Sequence, residues 1–519
     1  MRLFRSTAIV SAMTLISRIF GFMRDLLFAQ LFGAGSATDA FFVAFKIPNF
    51  MRRLFAEGAF AQAFVPVLSE YRTQRTPQEV RELIGAVSGT LGTLLLGLTL
   101  LVWMGAGTVV WLFAPGFGDD PFRQQLTTEM LRWTFPYLLF ISLTALASSV
   151  LNSYQRFAIP ALTPIWLNII LMTAALYWTP YSREPELALA WGVALAGVVQ
   201  LLFQLPPLWR MGLLPLPRWG WRDRGVRRVM TLMLPAMFGS SVAQINLLFD
   251  TILASFLIAG SVSWLYYSDR LVEFPLGLFG VALGTVILPT LSRHHAEATP
   301  EAFSHTLDWA LRWLFLIGTP AMIALMVLAE PLLITLFYYG EFDSHSVTMT
   351  ALSLRAYSVG LLGFMLVKVL APGFYARQDT RTPVRYGVIS MGANMGLNLL
   401  FVVPLVWWQV EGTHAGLALA TSLAAYLNAF LLGRYLYREQ IYRPQLGWGH
   451  FARRLLLANL LLALGLLWGV PAAEAWMSWP FEQRLAMMVL VVVVGMVGYL
   501  GLLWGLRLSL KQLLRYQIN

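Results

Sequence analysis

Ser17–Gly58 reads SRIFGFMRDLLFAQLFGAGSATDAFFVAFKIPNFMRRLFAEG, and how this stretch is read decides the fold. Its apolar residues run at the density of membrane-spanning helix. Yet it holds Arg18, Arg24, Asp25, Asp39, Lys46, Arg52, Arg53 and Glu57. One charge near the bilayer midplane costs about 2.5–3.5 kcal/mol on an insertion scale. Eight of them against lipid at that depth would cost roughly 20 kcal/mol or more, an upper bound that no stable protein carries. Several must line a hydrated space walled by protein. Most are cations, so the space suits an anionic cargo.

The rest of the chain supplies the same context. Of 519 residues, 58% are hydrophobic and 12% charged, and the mean hydropathy is +0.65; soluble domains carry about 25% charged residues. Apolar runs of spanning length recur from end to end, which predicts an all-α polytopic membrane protein with about 14 transmembrane helices. Cysteine is absent, which removes disulfides, thiol nucleophiles and Cys-metal sites. Lysine occurs only as Lys46, Lys368 and Lys511, so no P-loop of the G-x-x-x-x-G-K-[ST] type exists and ATP hydrolysis is excluded as a drive. Met1-Arg-Leu-Phe-Arg and the apolar run behind it mimic a signal peptide. No A-x-A-like site closes that run and Arg18 interrupts it, so an uncleaved first helix is expected.

Alternate loops differ in charge. One set carries Arg72, Arg75, Arg81, Arg156, Arg210, Arg218, Arg222, Arg293, Arg377, Arg381, Arg438 and Arg443; the other carries Asp119, Asp120, Glu184, Glu186, Glu341, Asp343, Glu411 and Glu474, with Arg123 and Arg183 its few cations. The positive-inside rule places the Arg-rich set and both termini in the cytoplasm. Topology thus accounts for the net charge of +11, and no nucleic-acid partner is expected.

The chain also repeats itself. Phe32-Gly33-Ala34-Gly35-Ser36 pairs with Ile258-Ala259-Gly260-Ser261, and Val65-Pro66-Val67-Leu68-Ser69 with Leu288-Pro289-Thr290-Leu291-Ser292. Leu112-Phe113 pairs with Leu336-Phe337, and Tyr154-Gln155-Arg156 with Tyr375-Ala376-Arg377. The implied unit is six helices. An even number keeps both copies in one orientation, which predicts two parallel six-helix lobes around a central cavity. The expected division is 1–225 and 226–445 for the lobes, with 446–519 as two additional helices.

Helical spacing groups the charges. Arg18 and Asp25 lie seven residues apart on one face, with Arg24 beside it, and Asp39 and Lys46 share that spacing on the second helix. Pro48 breaks this helix and frees backbone groups that need polar surroundings; Asn49 and Arg52 follow the break. In the other lobe Asp269, Arg270 and Glu273 cluster before Pro275, with Ser263 two turns earlier. The structural alternative is ion pairs between helices or arginines snorkelling to the interface, which suits Arg53 and Glu57 near the cytoplasmic surface. For the whole set the excess of Arg favours a ligand, since a guanidinium grips phosphate or carboxylate through two parallel bonds. Asp250, Asn394 and Asn398 are oxygen ligands in apolar sequence, either a Na⁺ site or polar glue between helices. Asp119 and Asp120 read as an acidic turn rather than a metal site, and all six histidines as solvated loop residues.

Several runs resemble one family. Ser17-Arg18, Gly21-Phe22-Met23-Arg24-Asp25, Thr38-Asp39-Ala40-Phe41, Pro48-Asn49, Arg52-Arg53-Leu54-Phe55-Ala56-Glu57-Gly58 and Ala63-Phe64-Val65-Pro66 are similar to the MurJ (MviN) lipid II flippases of bacteria. So are Gly260-Ser261-Val262-Ser263-Trp264, Asp269-Arg270, Glu273-Phe274-Pro275 and Lys368-Val369-Leu370-Ala371-Pro372-Gly373-Phe374-Tyr375. The resemblance implies the multidrug/oligosaccharidyl-lipid/polysaccharide exporter fold, with two C-terminal helices that help form a groove for the lipid tail. It implies that Arg18, Arg24, Arg52 and Arg270 line the cavity and serve an anionic head group, and that Asp39, Asn49, Ser263 and Glu273 lie in or near it. Asp250, Asn394, Asn398 and Thr421 are partial counterparts of a family cation site.

The function expected on these grounds is export of lipid II, the undecaprenyl-diphosphate-linked peptidoglycan precursor, by alternating access and without covalent chemistry. No cofactor is expected; a coupling cation, Na⁺ or H⁺, or the membrane potential is the candidate drive. Membrane lipids and cell-wall synthesis proteins are further candidate partners. The rivals are an exporter of another polyprenyl-linked glycan or of cationic drugs, a polyprenyl-phosphate transferase, and a scaffold for wall-synthesis enzymes. Drugs want an anionic or aromatic cavity, a transferase wants an acid-rich metal site, and a scaffold wants longer loops.

Overall fold

Every regular element among the described residues is helical, as a hydrocarbon solvent requires, since each backbone N–H and C=O must be satisfied within its own segment. The computed structural model describes residues 2–54, 60–182 and 184–508; Glu57, Arg183 and Lys511 lie outside the described residues. Eleven segments among them are long and apolar enough to cross a membrane. Three of the fourteen expected helices fall outside that criterion: Arg2–Phe32, Ser36–Arg52 with Ala61–Gln74 beyond it, and Arg224–Ser255. The first two carry the charges of the opening stretch, and the third opens on Arg224, Arg227 and Arg228 and contains Asp250.

The sequence repeat is a repeat of backbone. Pro77–Met104 and Pro300–Val327 are both 28-residue helices that begin on Pro, and both are followed after one residue by a short helix, Ala106–Phe113 and Ala329–Phe337. Asp120 and Asp343 each cap the next helix, accepting from the N–H of Arg123 and of Ser346. The acidic outer turns therefore start helices. Gln155 and Gln378 both adopt φ +61 just past a helix end. Arg156 N–H donates to Leu151 O at 2.9 Å and Asp379 N–H to Phe374 O at 3.1 Å, the same turn in both copies. This pairs Gln155 with Gln378 and corrects the register of the Tyr154 match by two residues.

Helix bounds differ from the sequence reading where caps act. The helix expected over 84–113 starts at Pro77, because Thr76 and Glu79 form a reciprocal capping box, and it breaks at Gly105. Arg81 is thus helical and not in a loop.

Two compact units divide the chain, Met1–Ser263 and Trp264–Asn519. In the first, Pro121–Thr134 and Tyr137–Ser153 pack on Ser36–Arg52 and on Leu187–Arg210, which in turn holds Ala158–Thr173. In the second, Ser344–Tyr375 packs on Ala282–Ala296 and on His414–Arg438, which holds Arg381–Trp407. Ala61–Gln74 packs on Tyr137–Ser153 as its counterpart Ala282–Ala296 packs on Ser344–Tyr375. The second unit's main contact is close: a Cβ on Gly360 would lie 2.7 Å from Ser422 Cα, and Ser422 Oγ donates to Ala356 O at 2.7 Å. Small residues at helix contacts are what association in lipid favours.

The segment after His414–Arg438 is bolted to the second unit. Asp308, 3% exposed, accepts from Tyr442 Oη, Gln445 N–H and Trp448 Nε1 on one oxygen and from Arg312 Nε on the other. At the far end of the pair Arg484, 7% exposed, donates to the carbonyls of Met477, Trp479, Ile334 and Tyr338. Between them Leu316, Phe451, Leu455, Leu462 and Tyr499 form an apolar cluster. Most of the Phe481–Gly505 face stays exposed, including Val489, Val493, Val497 and Trp504, as suits contact with lipid.

Candidate cargo site

Arg24 is the most thoroughly held of the expected cargo residues. It lies late in Arg2–Phe32, 6% exposed, beside Asp25 at 1%. Its Nε and Nη2 donate to Asp25 Oδ1 at 3.0 and 2.6 Å, and its Nη1 donates to Asn168 Oδ1 at 3.0 Å. Asn168, in Ala158–Thr173, donates from Nδ2 to Ser17 O at 3.2 Å, which fixes which end of the amide faces the arginine. Seven-residue spacing put Asp25 on the face of Arg18; the ion pair it makes is with its neighbour Arg24, and Arg18 is exposed. Sequence reasoning missed Asn168. The signal was there, a lone amide in the apolar run Pro164–Thr173.

The second helix joins the other residues in pairs. Asp39 is fully buried. Its Oδ2 accepts from Gly260 N–H at 2.8 Å, and its Oδ1 accepts from Ser263 N–H at 2.8 Å and Ser263 Oγ at 2.6 Å. Asp39 thereby serves the positive N-terminus of Ser261–Pro275, where Ser261 N–H donates to Ile258 O. Expected as two separate cargo residues, Asp39 and Ser263 are bonded to each other.

Pro48 frees a backbone group as expected, but it does not break the helix, which runs through it to Arg52. It has no N–H for Ala44 O, and the hydroxyl of Thr134, fully buried on Pro121–Thr134, donates to that carbonyl at 2.9 Å instead. Thr134→Val is expected to cost about 1–3 kcal/mol, the penalty for a buried acceptor left unmet. Thermal unfolding of the purified variant measures it. One turn on, Asn49 Nδ2 donates to Phe45 O at 3.0 Å and its Oδ1 accepts from Arg52 Nε at 3.2 Å, which aims a half-buried guanidinium. Lys46 is half-buried on the same helix and Arg53 is exposed.

In the second unit Arg270 Nη1 donates to Glu273 Oε2 at 2.9 Å and Nη2 to Tyr266 Oη at 3.2 Å, with the guanidinium 4.9 Å from the Tyr266 ring. Its side chain keeps 38% of its exposure and Glu273 51%, so solvent screens this pair. Pro275 ends the helix in a wide π-helical turn, Leu276–Val281. Arg53 and Leu54 adopt the same wide turn after Pro48. Such turns recur at functional sites.

The candidate cation residues divide between the units. Asn394 and Asn398 are buried one turn apart on Arg381–Trp407, and the Thr421 hydroxyl donates to Leu417 O at 3.0 Å in its own helix. Asp250 is half-buried in Arg224–Ser255 of the first unit. The second unit alone supplies neutral oxygens, without the carboxylate that a Na⁺ site gains most from. Among the described residues no cluster of three or more His, Cys, Asp or Glu could hold a metal. All six histidines lie within helices and not in loops, and one also departs from the expected solvation. His414 is fully buried, its Nε2 2.9 Å from Met349 O and its ring 4.9 Å from that of Trp264, because it opens a helix that packs into the unit.

Repeated helical units of membrane-spanning length, with buried and braced charges among them, define a multi-pass membrane protein. The family described as Lipid II flippase MurJ matches residues 28–486. The chain is 49% identical to the probable lipid II flippase MurJ of Vibrio cholerae, across 99% of this chain and 98% of that one. It is similar to a solved structure of lipid II flippase MurJ in an inward closed conformation, with TM-score 0.79 at 26% identity over 95% of this chain and 97% of the other. An inward-facing MATE family transporter of the MOP superfamily shares the fold, with TM-score 0.63 at 15% identity over 84% and 98%. The chain belongs to the MurJ family of lipid II flippases.

Proposed function

We propose that this chain carries lipid II from the cytoplasmic to the periplasmic leaflet of a bacterial inner membrane by alternating access, with both termini cytoplasmic. The observation that carries the reading is Arg24: a nearly sealed guanidinium inside an apolar helical unit, held by Asp25 and Asn168 and therefore already oriented. A diphosphate is the cargo group that two-pronged guanidinium bonding fits best. Arg18, Arg24, Arg52 and Arg270 bind it in this reading. Asp25, Asn49 and Glu273 aim those arginines, Lys46 adds charge, and the Asp39–Ser263 bonds hold a helix start. The exposed apolar faces of the last two spans offer the polyprenyl tail a surface.

The step is translocation and not bond chemistry. Its drive is a cation gradient, the membrane potential or downstream consumption of the product. Each charge carried across contributes about 2.3 kcal/mol per 100 mV. Proteoliposomes containing only this protein and lipid II test the reading, with outward head-group movement assayed by an added enzyme. Movement of lipid II is the expected result. Movement of a different polyprenyl-linked glycan with lipid II left in place assigns another cargo, and no movement of either overturns the reading.

A further inference from the structure

Asn168 gives Arg24 a neutral partner where Asp25 gives it a charged one. The two bonds to Asp25 Oδ1 are charge-assisted on both sides; the bond from Nη1 to Asn168 Oδ1 is not. The ionised guanidinium makes all three bonds charge-assisted, and only Asp25 adds attraction between opposite charges. An anionic oxygen arriving at Arg24 therefore displaces the amide before it displaces the carboxylate. The amide oxygen already occupies the direction such an oxygen would take, 3.0 Å from Nη1. Its own orientation is held by the Nδ2 bond to Ser17 O, so Asn168 presents its oxygen and not its N–H₂ to the arginine.

We infer that Asn168 is a positioning residue that stands in for the phosphate oxygen of the cargo at Arg24 Nη1 and yields to it. Neutrality is what makes it specific for an anion. It keeps the guanidinium aimed while no cargo is bound, and it offers less resistance than a carboxylate when cargo arrives. The inference rests on the reading of Arg24 as a ligand of the lipid-linked diphosphate.

Asn168→Asp separates this role from packing. The aspartate keeps an acceptor oxygen toward Arg24 and adds charge, but it has no N–H for Ser17 O, so lipid II binding and not stability carries the test. Lipid II binding is measured on the full chain in nanodiscs, beside the melting temperature. Asn168→Asp, whose charge competes with the cargo anion, is expected to bind at least tenfold more weakly while still folding. Asn168→Gln, which retains a neutral amide, is expected to bind within threefold of wild type. If Asn168→Asp binds within threefold of wild type while Arg24→Ala loses binding, the stand-in role is wrong. If Arg24→Ala binds lipid II like wild type, the underlying reading of Arg24 fails instead.

Discussion

Arg24→Ala is expected to abolish growth of cells that depend on this chain, with the protein still in the membrane and lipid II accumulating in the inner leaflet. The substitution removes the guanidinium that the cargo would meet, together with two bonds to Asp25 and one to Asn168. Removing one partner of a buried ion pair costs about 3–5 kcal/mol, so a loss of function in the single variant has two candidate causes. Arg24→Ala combined with Asp25→Asn separates them, because the neutral amide relieves the stranded charge. If Arg24 only joins helices, the double variant regains growth; if it binds cargo, it does not. Arg24→Lys keeps the charge but loses the planar fork, and is expected to support growth weakly. Full growth of Arg24→Ala would reduce Arg24 to packing.

Asp39→Ala is expected to lower stability by about 3 kcal/mol or more. Three donors, Gly260 N–H, Ser263 N–H and Ser263 Oγ, lose their acceptor at once in a fully buried place. A buried polar group left unmet costs about 1–3 kcal/mol, and loss of a helix N-terminal cap about 0.5–2 kcal/mol. Asp39→Asn retains one carbonyl oxygen for the Ser263 donors and is expected to lose less than half as much. Thermal unfolding of the purified variants decides it: an alanine variant that melts with wild type would show that these bonds do not hold the folded protein together.

Much of the architecture was legible in the chain. Membrane character followed from hydropathy and the repeat from matched runs, and the backbone repeats it with helices that start at Pro77 and Pro300 and with caps on later helices at Asp120 and Asp343. The charged second helix was legible because charge in an apolar run has a known cost, whereas the break expected at Pro48 does not occur. His414 was misread because a residue near a loop is not thereby solvated; its helix turns it inward against Trp264. Asn168 was visible as an oddity and Thr134 was not, since threonine is ordinary in such helices and only the carbonyl of Ala44 beside it gives its hydroxyl a purpose.

The sequence by itself determined the class of fold, the repeat, the family and the set of arginines suited to an anionic cargo. Periodicity and burial cost are properties of a single helix and can be read along it. Only the tertiary structure decided which partner each charge has: Asp25 and Asn168 for Arg24, Ser263 and Gly260 for Asp39, Asn49 for Arg52, and Glu273 and Tyr266 for Arg270. Hydrogen bonds reach about 3 Å. Which side chains come within that reach across residues as distant as Arg24 and Asn168 depends on how helices pack, and spacing along the chain carries no record of it.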